Sequence, residues 1–336
     1  MTGREPLGPA VRLAPAKLNL TLAVGDRRSD GFHDLHSVMV PLGLADRLSL
    51  ARSGGSTDSL HVVGGPDGRA RLDPAGFDSV LRGIAEARRA VGRGAATPAL
   101  AVRLEKRIPI AAGLAGGSSD AAAAIDGALE AWAAELSQGD RRAAAAATGS
   151  DVPFFLAGGP ALVEGRGERV TPLSGFAGEP PAVLLVTPSV ESSTRAAFAA
   201  LDTDPAAAPA SRGATRLTSE HLAVELGPGH PAMRATGLVA RAGVLAVAND
   251  LARAADLLVP GLRALRRALT RLLGVPIGMS GSGPTLWALY PAIGGAEDAA
   301  RAVRAELALG TLDSPGTSPP FVTATFIDSL PGRKAE

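Results

Sequence analysis

From Lys17 the chain alternates polar and apolar residues: Leu18, Leu20, Leu22 and Val24 share one face of an extended strand, and Lys17, Asn19 and Thr21 share the other. Lys17 and Asn19 therefore point the same way. A turn-forming run over 25–31 follows, then strand-like alternation over 32–37, around Leu48 and Leu50, and at Leu60 and Val62. Val80, Leu81, Ile84, Ala87 and Val91 repeat with helical spacing, and Leu100, Val102 and Leu104 with strand spacing. Ile125, Leu129, Trp132 and Leu136 form the apolar stripe of a long helix, and a second, alanine-rich helix precedes residue 149. Periodicity stops at 173–181, where turn formers gather, which places one domain over 9–175 and a second over 181–329. The second half reads as a strand at 183–186, a helix, and a Pro/Ala-rich segment over 204–213 expected to be mobile. Helices at 249–258 and 262–273, strands flanking Gly281 and Gly283, a helix over 296–307 and a strand over 321–327 complete it. This order predicts an α+β fold with helices on one face of a mainly antiparallel sheet.

A chain of 336 residues, 46% of them hydrophobic, can bury a core in each of two domains. The absence of cysteine excludes disulfides, thiolate metal sites and cysteine nucleophiles. A net charge of +1 gives no electrostatic case for a nucleic-acid or membrane partner. No apolar run approaches the roughly 20 residues that span a bilayer, and the first residues lack a signal-peptide core, so a cytoplasmic protein is expected, as monomer or homodimer. Of the 34 basic residues only Lys17, Lys106 and Lys334 are lysines, which singles out Lys17 beside Asn19.

The most informative run joins the strand at 100–104 to the long helix: Pro109, Ile110, Ala111, Ala112, Gly113, Leu114, Ala115, Gly116, Gly117, Ser118, Ser119. The first turn of a helix carries unpartnered N–H groups and the positive end of the macrodipole, so a phosphate is well solvated there. Gly113, Gly116 and Gly117 allow close approach, and Ser118 and Ser119 add hydroxyls for a phosphate oxygen or a magnesium ion. A flexible lead into a serine-capped helix would give the same pattern, so the run needs companions. His33 and His36 lie three apart, but with no third ligand they predict no metal site.

The run 109–119 resembles the phosphate loop of the GHMP kinases, which phosphorylate small alcohols and acids. Six further motifs narrow the resemblance. They are Ala14-Pro15-Ala16-Lys17-Leu18-Asn19-Leu20, Arg28-Ser29-Asp30-Gly31-Phe32-His33, Gly149-Ser150-Asp151-Val152-Pro153-Phe154-Phe155, Gly165-Arg166-Gly167-Glu168, Asn249-Asp250-Leu251 and Met279-Ser280-Gly281-Ser282-Gly283-Pro284-Thr285. Their order and spacing are similar to those of the 4-diphosphocytidyl-2-C-methyl-D-erythritol kinases. That resemblance covers about residues 10 to 327. It implies a two-domain GHMP kinase fold, with a ribosomal-protein-like N-terminal domain and a ferredoxin-like C-terminal domain. It also implies transfer of the γ-phosphoryl of ATP, accompanied by Mg2+, to the 2-hydroxyl of the cytidine-diphosphate-linked methylerythritol.

By the same resemblance Asp151 is the base, Lys17 stabilises the developing charge beside it, and Asn19 contacts the methylerythritol or fixes Lys17. Phe32 and His33 fall where the family reads cytosine, and Phe198, four residues after Thr194, is the second ring. An Asp before Val-Pro also reads as a helix N-cap, Phe198 as a core aromatic, and the second glycine run as a hairpin turn. Two departures stand out. Phe32 replaces the usual tyrosine, which removes a hydroxyl and keeps the stacking face. Ala111, Ala112 and Ala115 replace glycines, which is tolerable wherever φ is negative. The rival readings are a GHMP kinase for another alcohol, a catalytically silent relative, and a nucleic-acid binder. The cytosine element, the Lys17 and Asp151 pair, and the balanced charge respectively argue against them.

Overall fold

The computed structural model describes residues 9–64, 70–92, 96–204 and 209–329. In the first half the strands are β1 (Ala10–Asn19), β2 (Ala23–Arg27), β3 (His33–Arg52), β4 (Ser59–Gly64), β5 (Ala70–Leu72), β6 (Leu100–Glu105), β7 (Ala161–Gly165) and β8 (Arg169–Pro172). They form one sheet in the order β5-β4-β6-β3-β7-β8, with β1 and β2 also paired to β3. The 20-residue β3 is its spine, meeting β1, β2, β6 and β7 antiparallel, while β4 and β6 run parallel. Helices α1 (Asp78–Val91), α2 (Gly116–Trp132), α3 (Gln138–Thr148) and α4 (Val152–Ala157) complete this half. Leu48, Leu50, Val62, Ile84, Leu104 and Ile125 share its core.

The second half contains β9 (Ala182–Thr187), β10 (Gly278–Met279), β11 (Leu286–Tyr290) and β12 (Phe321–Phe326), antiparallel in the order β10-β11-β9-β12. Its helices are α5 (Thr194–Thr203), α6 (Pro209–Glu225), α7 (Ala235–Ala240), α8 (Ala242–Leu245), α9 (Ala252–Leu258), α10 (Leu262–Leu273) and α11 (Ile293–Leu309). Leu265, Leu269 and Val303 share a core with Leu184 and Val186 of β9 and Leu286 and Ala288 of β11. A further core spans both sheets: Leu18, Leu20, Val38 and Val40 meet Val183, Leu185 and Trp287. The α+β architecture is thus as expected, and no helix among the described residues is long and apolar enough to cross a membrane.

The polar side that runs from β1 on to Thr21 is interior: Lys17, Asn19 and Thr21 are each at most 3% exposed, because the second half covers them. One expectation needs correction. Leu136 lies beyond α2, which ends at Trp132 with Ala133 in the left-handed region. Of the segment expected to be mobile, residues 205–208 lie outside the described residues, and from Pro209 the chain is already helical in α6.

Candidate active site

Two glycine runs meet between the sheets, and their interlock is what builds the site. Gly113 has φ +76°, and a Cβ there would lie 2.3 Å from the Ser280 carbonyl oxygen and 2.9 Å from that of Gly283. Gly281 has φ +57°, and its Cβ would lie 2.9 Å from the Gly113 oxygen and 3.0 Å from Lys17 Nζ. Backbone therefore touches backbone, which only glycine permits at both positions. Ser280 Oγ donates to the Gly113 oxygen at 3.0 Å, and Thr285 N–H donates to the Ala112 oxygen at 3.3 Å. Asn249 Nδ2 holds the second run in place through the Met279 and Gly281 oxygens, both at 2.9 Å. The run at 280–283 is indeed the turn between β10 and β11, and it also packs on the phosphate loop.

The first run delivers the N-terminus of α2 into a cavity of about 450 Å3. Ala115 is the N-cap residue and no side chain caps the helix, so the first N–H groups of α2 open toward the cavity wall. Here the expectation for the alanines fails: Ala111 and Ala115 both have φ +52°. A left-handed alanine costs about 1–2 kcal/mol through its Cβ, partly offset by its stiffer unfolded chain. Ala115→Gly is therefore expected to raise stability by about 1 kcal/mol in a denaturant titration, without loss of turnover. Ala112 has no positive φ and is buried.

Of the residues expected at the site, Lys17, Asn19, Pro109, Ile110, Ala111, Ala112, Gly113, Ala115, Gly116, Gly117, Ser118, Asp151, Thr194 and Phe198 line this one cavity. Leu114, Ser119, Phe32 and His33 do not. Leu114 is core, and contributes only its carbonyl, which accepts from Lys17 N–H at 3.0 Å. Ser119 is buried and lines a different cavity. Lys17 Nζ donates to Asn19 Oδ1 and, at 2.9 Å, to the Gly113 oxygen. Asn19 is fixed in turn by donating to Ser37 Oγ at 2.8 Å. Burial pushes the Lys17 ammonium below its usual range, and the Asp151 charge partly restores it. Asp151 stands as N-cap of α4 with no side-chain bond into the helix, so its carboxylate is not committed to capping.

The aromatic residues are arranged less simply. His33 is buried, stacks on Phe198 with centroids 5.2 Å apart, and bonds Asp202 through Nε2 at 2.8 Å. That separation leaves no room for a base between those two rings. Phe32 is 46% exposed, and the Arg166 guanidinium covers its ring at 5.0 Å. Thr194 Oγ1 lies 3.0 Å from Ser282 Oγ, tying α5 to the second glycine run. His36 Nδ1 meets Ser219 Oγ at 2.8 Å, so the two histidines turn to different partners.

The GHMP kinases N terminal domain profile matches residues 79–159, from α1 through the phosphate loop to the end of α4. Over 298 residues the chain is 38% identical to the 4-diphosphocytidyl-2-C-methyl-D-erythritol kinase of Anaeromyxobacter dehalogenans, covering 88% of this chain and 85% of that one. A kinase of the same name from Rhodococcus jostii is 38% identical over 311 residues, covering 89% and 88%. The chain belongs to the 4-diphosphocytidyl-2-C-methyl-D-erythritol kinase family. A crystal structure of 4-(cytidine 5'-diphospho)-2C-methyl-D-erythritol kinase superposes with TM-score 0.63 at 31% identity, covering 94% of this chain and 99% of that one. Homoserine kinase from Cytophaga hutchinsonii, 18% identical with TM-score 0.70 and 99% of both chains covered, shares the fold.

In this member of the family a buried ion cluster braces the phosphate loop, and sequence reasoning missed it. Lys106 lines the cavity and bonds Asp46 on β3 and, at 2.8 Å, Asp120 on α2. Asp46 also accepts the N–H groups of Arg107 at 2.5 Å and Ile108 at 2.9 Å. The rarity of lysine was the available signal, but nothing local linked Lys106 to carboxylates 60 and 14 residues away. Burial pushes the Asp120 carboxyl up to about 7, with Lys106 opposing and Asp46 adding to the shift. The folded protein thus holds a proton that the unfolded chain releases near pH 4. Its stabilising contribution is complete below that pH and is lost as pH rises through about 7. Asp120→Asn should flatten the fall in thermal stability between pH 5 and pH 8; an unchanged profile would remove Asp120 as its source.

Proposed function

We propose that this chain transfers the γ-phosphoryl group of ATP to the 2-hydroxyl of 4-diphosphocytidyl-2-C-methyl-D-erythritol, as a cytoplasmic enzyme. The observation that carries the reading is the convergence of Lys17, Asp151 and the opened N-terminus of α2 on one cavity. Phosphoryl transfer asks for alignment and charge stabilisation more than for covalent chemistry by the protein. The N–H groups of Gly116 and Gly117 hold the phosphates. The substrate oxygen attacks the γ-phosphorus, the bond from that phosphorus to the β-bridging oxygen breaks, and the hydroxyl proton passes to Asp151. Lys17, aimed by Asn19 and the Gly113 carbonyl, stabilises the negative charge that spreads over the transferring group. Ser118 brings an oxygen donor to the cavity wall and would help to hold a magnesium ion that arrives with the nucleotide, which leaves Asp151 to take the proton. Bound magnesium supplies neutralisation of phosphate charge.

For cytosine, the accessible ring is Phe32, from which the base displaces the Arg166 guanidinium; His33 and Phe198 brace that side of the pocket as a stacked pair. Base stacking on an aromatic is worth about 1–3 kcal/mol, so Phe32→Ala should raise KM for the cytidylyl substrate by about 10- to 100-fold with KM for ATP unchanged. The acceptor is tested by following ADP release with this substrate beside homoserine and mevalonate. Turnover confined to the cytidylyl alcohol supports the reading. Turnover on another acceptor would keep the phosphate site and overturn the cytosine pocket.

A further inference from the structure

A second cavity, of about 340 Å3, lies along the same two helices as the active site. The two cavities share no lining residue. They interleave along the chain, however: Ser118 and Val152 face the active site, and their near neighbours Ser119 and Phe154 face the second cavity. Its walls are mainly apolar, with the edge-to-face pair Phe154 and Phe155 from α4, Phe326 from β12 and Leu42 from β3. The Phe326 ring reaches its place only because residue 43 is glycine, where a Cβ would sit 2.6 Å from it.

Four polar residues line it: Arg12, Asp126, Asp328 and Ser119. Ser119 is 1% exposed, and its hydroxyl has no hydrogen-bond partner among the described residues. A buried hydroxyl left unpaired is costly, and native structures almost always satisfy it. The charged groups around the cavity do not recommend an anion as the missing partner. Arg12 is engaged by Glu130, Asp126 is held by Arg141 through Nε at 2.7 Å, and Asp328 adds a second carboxylate to the lining. The wall therefore suits a compact, neutral, apolar body that carries one hydrogen-bonding group.

We propose that this cavity is a second binding site, for a small apolar alcohol or phenol whose hydroxyl pairs with Ser119, and that filling it slows the reaction through α4. That helix joins the two sites directly: Asp151 stands at its start, and Phe154 packs against Met39, which lines the active-site cavity. A ligand against Phe154 shifts the helix on which the base is mounted and leaves the nucleotide's own contacts intact.

Benzyl alcohol and toluene serve as a matched pair of probes, with binding read by ligand-detected NMR on the full chain. Benzyl alcohol is expected to bind more tightly than toluene by roughly 3- to 10-fold, the worth of one hydrogen bond, and Ser119→Ala should erase the difference. Binding should persist at saturating ATP, and Ala45→Leu, which narrows the cavity from β3, should abolish it while leaving basal turnover unchanged. In steady state benzyl alcohol should lower kcat with KM for ATP unchanged; this arm rests on the proposed kinase reaction, whereas the NMR arm does not. Absence of binding, displacement by ATP, or equal preference for the two probes would overturn the site. Binding without a change in kcat would overturn the coupling through α4.

Discussion

Asp151→Asn is expected to reduce turnover by about 10²–10⁴-fold, the usual worth of a positioned general base, while melting temperature and ATP affinity stay close to those of the parent. The two substituents are nearly isosteric, so the change deletes the proposed proton acceptor and little else. The Asp151 side chain makes no capping bond to α4, so the helix loses no hydrogen bond when the carboxylate becomes an amide. Nor does it hold Lys17 by hydrogen bonding, since the ammonium's bonds go to Asn19 and the Gly113 carbonyl. kcat, ATP binding and thermal unfolding measured on one preparation separate a lost base from a lost fold. An Asn variant with near-parental kcat would remove Asp151 from the mechanism.

Lys17→Met should cost about 10²–10³-fold in kcat, the range seen when one preorganised donor to developing negative charge is removed. Stability should hold or rise. The ammonium is almost wholly buried, and burial depresses its pKa despite the charge of Asp151. In the pH window just below the usual lysine range the unfolded chain therefore binds the proton more readily than the folded one. Native stability consequently increases as pH climbs through that window, and the methionine variant, with nothing to titrate, should lack the increase. Met also leaves the Gly113 carbonyl satisfied, because Ser280 Oγ still donates to it. A variant that loses activity and stability together would make Lys17 a structural residue.

How far the sequence reaches is seen at β1. Alternation correctly put Lys17 and Asn19 on one side, because the two-residue period of a strand is local geometry. It could not show that this polar side is interior, since the residues that cover it come from the second half of the chain. The β-bulge that shifts the register between Pro15 and Lys17 left no mark either. The glycines at 113, 116 and 117 announced a close approach, but the partner, the Ser280 to Gly283 backbone, is 167 residues away in sequence from Gly113. Lys106, Asp46 and Asp120 illustrate the same limit: each is unremarkable alone, and only the packing of β3, β6 and α2 makes them a cluster. Ala111 and Ala115 mark a different one. Residue preference argues against φ +52° at both, and tertiary contacts override it at the place where the phosphate loop must turn.

The most direct test of the central claim is phosphorus NMR of the purified chain incubated with ATP, magnesium and 4-diphosphocytidyl-2-C-methyl-D-erythritol. One new phosphomonoester resonance should grow in step with ADP, on the substrate's 2-hydroxyl, and should be absent with Asp151→Asn. ATP left intact, or ADP formed alongside inorganic phosphate with the alcohol unmodified, would contradict phosphoryl transfer to this acceptor.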